Sequence, residues 1–256
     1  MERPLRRVSI TVPLARAEEA RATMIELFPE GFEEVDDGDD LELAAYTDSS
    51  GEERLWHAFG GTRAAYVETG WEERWRSFHR PVRVGPLWVG PPWETPPAEA
   101  TPVVIDPGRA FGTGAHATTR LCLELLLDLP RASLLDVGCG SGVLAIAAAK
   151  LGFRPVTALD FDPLAIEATR QNATANGAEV ETLLGDALHD PLPQAATAVA
   201  NIALGPVVEL ALRLDCRHFI TSGYLVSDSV EPAGFGRLRR LDDEGWAADL
   251  WEPQSE

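Results

Sequence analysis

Lysine is nearly missing from this chain: of 22 basic residues only Lys150 is one, against 41 acidic residues, and the formal net charge is −19. A surface so negative does not grasp a phosphate backbone directly. Direct nucleic-acid binding is therefore not expected, whereas a basic protein partner suits it. The lysine shortage itself reads as codon bias in a chain rich in alanine and arginine. Cysteine is scarce as well. Cys122, Cys139 and Cys216 stand alone, with no C-x-x-C pair and no histidine at ligand spacing, which argues against a zinc site or a disulfide framework. The five histidines are scattered and support no Ser-His-Asp constellation. No apolar run approaches the ~20 residues that span a bilayer. The basic residues 1–7 lead into an alternating segment, not into a long apolar stretch with a cleavage site. The expectation is a cytoplasmic monomer that does not engage a membrane. At 256 residues with 45% apolar content, the chain is ample for one large domain or two modest ones.

What is present is organised around residues 134–144, Leu-Leu-Asp-Val-Gly-Cys-Gly-Ser-Gly-Val-Leu. A short apolar run turns through three glycines at alternate positions and leaves as an alanine-rich helix. Such a strand–turn–helix lets backbone approach a nucleotide-like ligand with no side chains in the way. A second apolar run, residues 156–159, ends in Asp160, 22 positions beyond Gly138, where a second parallel strand delivers an acid to a ribose. A dinucleotide fingerprint reads G-x-G-x-x-G; here it is G-x-G-x-G with Asp136 ahead of it. This is the loop of a doubly wound class I (Rossmann-like) methyltransferase, whose ligand, S-adenosylmethionine, has no pyrophosphate to cradle. Gly138 and Gly140 are candidate cofactor contacts. Asp186, in the Gly185-Asp186-Ala187 turn after residues 180–184, is a candidate for the adenine amino group. Asn201 closes the run Ala198-Val199-Ala200-Asn201-Ile202 at another strand end. With the amine acceptor that a family resemblance implies, its amide oxygen accepts a hydrogen bond without charge and holds the neutral amine without stabilising the ammonium.

Taken in order, the first 70 residues read βαββαβ, which suggests a small α+β ferredoxin-like module. Strands are predicted at 8–12, 31–35, 41–46 and 63–68, with helices at 15–28 and 52–59. Residues 71–79 look like an aromatic-rich helix, 82–89 a strand pair turning at Gly85-Pro86, and the prolines at 91, 92, 96 and 97 an extended connector. A helix is predicted over 120–129, with Thr118 or Thr119 capping it. The preceding Gly112-Thr113-Gly114 loop is expected to close over the cofactor. Asp162, Pro163 and Gly177 bound a helix over 163–176. Further strands are expected at 196–201 and 217–221, a helix at 206–212, and a closing strand pair at 237–241 and 246–251.

Two stretches carry a family resemblance. Residues 106–123, Asp-Pro-Gly-Arg-Ala-Phe-Gly-Thr-Gly-Ala-His-Ala-Thr-Thr-Arg-Leu-Cys-Leu, resemble the signature that precedes the methyltransferase core in the PrmA family. Residues 199–206, Val-Ala-Asn-Ile-Ala-Leu-Gly-Pro, resemble that family's acceptor segment. The resemblance implies an enzyme that transfers methyl groups from S-adenosylmethionine to lysine side chains, and to the N-terminal amine, of the eleventh protein of the large ribosomal subunit. It puts Thr119, Gly138, Asp160 and Asn201 on cofactor-contacting positions. It also implies a substrate-recognition domain at 1–70, a linker at 71–100 and a methyltransferase domain at 101–256. Residues 212–241 depart from the pattern: the segment is short and lacks a Pro-Gly-Gly turn before the fifth strand, leaving the late sheet topology open. Three rivals stand beside this reading: a methyltransferase with another protein or small-molecule acceptor, a nicotinamide-dependent oxidoreductase that the glycine spacing opposes, and a non-catalytic sensor of an adenosine ligand.

Overall fold

The computed structural model describes residues 6–28, 31–38, 40–47, 49–66, 79–106 and 114–254. The chain divides into two compact units, Met1–Phe78 and His79–Glu256. In the first, β1 (Arg6–Pro13) leads through a 3-10 turn (Leu14–Arg16) into α1 (Ala17–Leu27). Then come β2 (Glu33–Asp37), β3 (Asp40–Thr47), α2 (Ser49–Phe59) and β4 (Arg63–Tyr66). The strands form an antiparallel sheet in the order β2-β3-β1-β4. Period-two alternation puts Val8, Ile10 and Val12 of β1 on one face. There they meet Leu41 and Leu43, and the α1 stripe Ala20, Met24 and Phe28, all buried in one core with Leu55 of α2. On β1's alternate positions, Arg7 donates to Glu33 and Glu42, and the Tyr46 hydroxyl donates to Glu33.

The second unit opens with a three-stranded sheet, β5 (Val82–Val84), β6 (Leu87–Gly90) and β7 (Thr101–Val104), with β5 antiparallel and β7 parallel to β6. This is where a linker was expected. From Val82 onward the passage is instead built into the second unit, because Val84, Leu87, Val89, Val103 and Ile105 all sit in its main core. The expected helix over 71–79 lies, apart from His79, outside the described residues. There follow α3 (Ala117–Leu127), β8 (Leu134–Val137), α4 (Val143–Leu151), β9 (Val156–Asp160), α5 (Pro163–Asn176) and β10 (Glu181–Leu184). The chain ends through β11 (Thr197–Asn201), α6 (Leu204–Ala211), β12 (His218–Leu225), β13 (Phe235–Asp243) and β14 (Trp246–Pro253). Strand order is β10-β9-β8-β11-β12-β14-β13, parallel except for β14, which pairs antiparallel with both neighbours. This is the doubly wound α/β sheet that the sequence predicts, with two apolar clusters of core residues. The short stretch after residue 212 is accommodated without a crossover helix: residues 226–234 connect β12 to β13, and buried Val230 joins the core there.

Helix α5 follows its punctuation. Asp162 Oδ1 accepts from the Leu164 amide at 2.8 Å, Pro163 stands in the first turn, and Gly177 ends the helix at φ +59°. Helix α3 does not. It starts at Ala117, before the predicted start at 120, and its N-cap is His116, whose ring accepts from the Thr118 amide, so neither Thr118 nor Thr119 caps it. Both threonines are buried in the first turn, which carries the helix further towards its amino end than the apolar spacing alone suggests.

Candidate active site

Strand register sets the site. Ala200, Val137 and Leu159 pair across β11, β8 and β9, and Asp160 pairs with Leu184 of β10. The next residues along, Asn201, Gly138 and Asp160, therefore stand side by side at the carboxyl ends of adjacent parallel strands, ~4.8 Å apart. Ligands of open α/β sheets gather at such an edge.

The turn between β8 and α4 needs its glycines. Gly138, Gly140 and Gly142 have φ of +71°, +54° and +81°, a region that L side chains enter only at a cost. A Cβ on Gly138 would lie 2.4 Å from Ile202 Cγ2, and one on Gly142 2.7 Å from Thr169 Cγ2. Five amides of this turn are bonded within the protein. Those of Gly138 and Cys139 donate to the Leu159 carbonyl, Gly140 to Asp160 Oδ2 at 3.0 Å, Gly142 to the Cys139 carbonyl, and Val143 to Ser141 Oγ. Few of its amides are therefore left for an anion. Beneath it Asp136 is 1% exposed. Its Oδ2 accepts from the Ala145 amide at 3.0 Å, and among the described residues its Oδ1 has no hydrogen-bond partner. Burial, opposed by that amide bond and reinforced by Asp160, pushes the Asp136 carboxyl up to about 7.

Asp160 Oδ1 also accepts from the Asp162 amide. Next to it Phe161 is 78% exposed, a flat apolar surface at the ligand edge, with Leu184 also exposed. Asp186 spends its carboxylate on its own turn: Oδ1 accepts from the Leu188 amide and Oδ2 lies 2.8 Å from His189 Nδ1. Those bonds, the backbone one first, hold its carboxyl below the usual range. Asp186 thus stands two residues past the strand-end row. Thr119, wholly buried on α3, meets Asn201: the Asn201 amide nitrogen donates to Thr119 Oγ1 at 3.4 Å. That bond turns Asn201 Oδ1 the other way.

Of the loop expected to close over the cofactor, residues 107–113 lie outside the described residues. Gly114 follows at φ +88°, where a Cβ would lie 2.3 Å from Val89 Cγ1. The exit from the loop is clamped by Arg120, which donates to the Ala115 carbonyl and pairs with Asp243 and Glu244 in the β13–β14 turn. The His116 ring packs edge-on against Trp246, centroids 5.0 Å apart. Burial and the nearby Arg120 hold the His116 pKa below its ordinary value, with Glu244 opposing them.

Sequence reasoning passed over Gly223 altogether. At φ +102° it occupies a register shift between Ser222 and Tyr224, and a Cβ there would lie 2.2 Å from the Ile202 carbonyl oxygen. Ile202, next to Asn201, is thus packed against both glycines, 138 and 223. The signal in the sequence was only a glycine inside a strand pattern, which marks a bulge or a close backbone approach. Among the described residues no cluster of His, Cys, Asp and Glu could hold a metal ion, and no helix is long and apolar enough to cross a membrane.

A family model described as ribosomal protein L11 methyltransferase (PrmA) matches residues 17–232. The ribosomal protein L11 methyltransferase of Chromohalobacter salexigens is 46% identical over 203 residues, covering 70% of this chain and 66% of its own length. That of Yersinia pseudotuberculosis is 48% identical over 147 residues, 56% of this chain and 50% of its own. The chain thus spans between half and two thirds of the length of these curated relatives. A crystal structure described as ribosomal protein L11 methylase from Lactobacillus delbrueckii subsp. bulgaricus superposes with a TM-score of 0.62 at 26% identity, covering 69% of this chain and all of that one.

Proposed function

The chain belongs to the ribosomal protein L11 methyltransferase (PrmA) family, and we propose that it transfers methyl groups from S-adenosylmethionine to amino groups of that ribosomal protein, lysine side chains among them. The observation that carries this is the row Asn201–Gly138–Asp160, with Thr119 orienting the asparagine amide. The residues present fit the cofactor. The glycine turn lets backbone approach a ligand while five of its amides are bonded within the protein, few being left for a pyrophosphate, and Phe161 presents an apolar face. In this reading Asp160 takes the ribose hydroxyls and Asp186 the adenine amino group. Each carboxylate oxygen keeps a second lone pair beyond the bond it already accepts. Gly138, Gly140 and Thr119 line the methionine side.

When bound, S-adenosylmethionine supplies a methyl group already activated on a sulfonium. What remains for the protein is to position a neutral amine, catalysis by proximity and orientation. A free lysine, with a pKa of about 10.4, arrives protonated at neutral pH. A desolvated site beside positive charge lowers that pKa. Asn201 Oδ1 then accepts one N–H of the neutral amine and aims its lone pair. Because Thr119 already bonds the amide nitrogen, the oxygen is the end that faces the acceptor. We further infer that the first unit, with its βαββαβ order, is a ferredoxin-like substrate-recognition module, and that the net charge of −19 favours a basic protein partner over nucleic acid.

The test is intact-mass spectrometry of the purified ribosomal protein after incubation with this chain and S-adenosylmethionine, with a second lysine-rich protein as control. Mass gains in methyl-sized steps on the ribosomal protein alone are expected. Gains on neither, with cofactor binding demonstrated separately, would reject the acceptor while leaving the methyltransferase reading in place.

A further inference from the structure

Helix α5 carries a stripe of buried polar side chains, Thr169, Asn172 and Asn176, exposed by 0, 4 and 9%. A polar stripe at helical spacing ordinarily faces water. This one faces inward, and its partners are backbone groups far away in sequence. Thr169 Oγ1 donates to the Gly140 carbonyl at 2.9 Å, and Asn172 Nδ2 donates to the Ser141 carbonyl at 2.9 Å. Two consecutive carbonyls of the glycine turn are therefore held by one helix. Asn172 does more: its Oδ1 accepts from the Asp106 amide at 3.1 Å, at the threshold of residues 107–113. Asn176, one turn on, binds both backbone groups of Val104 and the Asn172 carbonyl, and makes no hydrogen bond to the glycine turn.

We propose that Asn172 is a positioning residue for the cofactor loop, fixing the Ser141 peptide and tying it to the backbone at Asp106 with a single side-chain amide. The inference rests on the reading of the glycine turn as an S-adenosylmethionine site. Positive-φ glycines leave that turn with little conformational restraint of its own, so its shape is imposed from outside, and a pre-ordered loop binds more tightly than one that must be ordered by its ligand. Asn172 touches neither Asn201 nor the acceptor side. Its loss acts on cofactor affinity.

Calorimetric titration of the full chain with S-adenosylhomocysteine, beside thermal unfolding, tests this in the wild type, Asn172→Ala, Asn172→Asp and Asn176→Ala. The aspartate is nearly isosteric and keeps the acceptor for Asp106 but lacks the donor to Ser141, so it carries the test should the alanine variant fold poorly. Both Asn172 variants are expected to raise Kd about tenfold, the worth of one buried hydrogen bond. Asn176→Ala is expected to lower Tm comparably while leaving Kd within about twofold. An Asn172→Asp variant that binds like the wild type, or Kd values that follow Tm in all three variants, would overturn the proposal. A wild-type chain that does not bind S-adenosylhomocysteine would bring down the cofactor reading, and this inference with it.

Discussion

Gly223→Ala is the substitution with the largest consequence relative to its size. A Cβ at this position would lie 2.2 Å from the Ile202 carbonyl oxygen and 2.7 Å from its carbon, whereas ordinary contacts begin at 3.4 Å. The obstruction is backbone, with no flexible side chain to swing aside, so residues 201–202 must move by at least about 1 Å. A displacement of that order at a reacting group costs ~100-fold in rate. The positive φ adds ~1–2 kcal/mol for an L side chain. Weakening the bond from the Ile202 amide to the Ser222 carbonyl, now 3.1 Å, adds ~1 kcal/mol. A loss of ~2–3 kcal/mol lowers Tm by ~4–12 °C in a domain of this size. Gly177→Ala is the comparator: its φ is also positive, +59°, but nothing lies within 4 Å of the added atom. It bears the conformational cost alone. Methyl-transfer kinetics at saturating substrates, with Tm for both variants, give the answer: kcat down ~100-fold for Gly223→Ala and unchanged for Gly177→Ala. A Gly223→Ala variant within about threefold of the wild type would refute the claim that the two glycines position Asn201, the residue proposed to hold the acceptor amine.

Asn201→Ala is expected to reduce kcat by ~5–150-fold, the worth of one hydrogen bond to the reacting amine. Asn201→Asp is expected to favour the ammonium and push the rate–pH profile to higher pH; an unmoved profile would count against the asparagine's role. Asp136, raised to about 7 when folded, keeps its proton after the unfolded chain has released its own, so its contribution to stability falls as pH rises from about 4 to about 7 and is level above. The stability difference between Asp136→Asn and the wild type is therefore expected to move in the variant's favour across that window. A difference independent of pH, in thermal unfolding scans, would show that folding does not raise the Asp136 pKa. His116, lowered when folded, contributes stability above its unfolded pKa of about 6.5 that is lost as pH falls from there toward the folded value. His116→Asn retains a capping acceptor, and should flatten that acid limb; an unchanged limb would assign the sensitivity to another group.

Much of this was legible because it is local. The Asp162-Pro163 start and Gly177 stop of α5 are spelled out within the helix's own ends, and the alternate glycines announce the turn after β8. The strand-end row follows from short apolar runs that each stop at a polar residue or a glycine. What was not legible depends on partners distant in sequence. Nothing around Gly223 distinguishes it from any other strand glycine, because the carbonyl that requires it belongs to Ile202. Thr169, Asn172 and Asn176 look like the solvated face of a helix until the backbone at residues 104–106 and 140–141 is laid against them. His116 is a poor cap by preference, and it caps because burial keeps its ring neutral and able to accept.

The spacing of the glycines and the hydrogen bonding of the turn go together. In a turn that binds a pyrophosphate, the backbone amides and the helix N-terminus point at the ligand. Here the G-x-G-x-G spacing brings Ser141 and Asp136 to the first turn of α4, where their side chains take the Val143 and Ala145 amides. Asp160 and the Leu159 carbonyl take those before them. With five amides between Gly138 and Val143 so engaged, the turn has few donors left for a pyrophosphate.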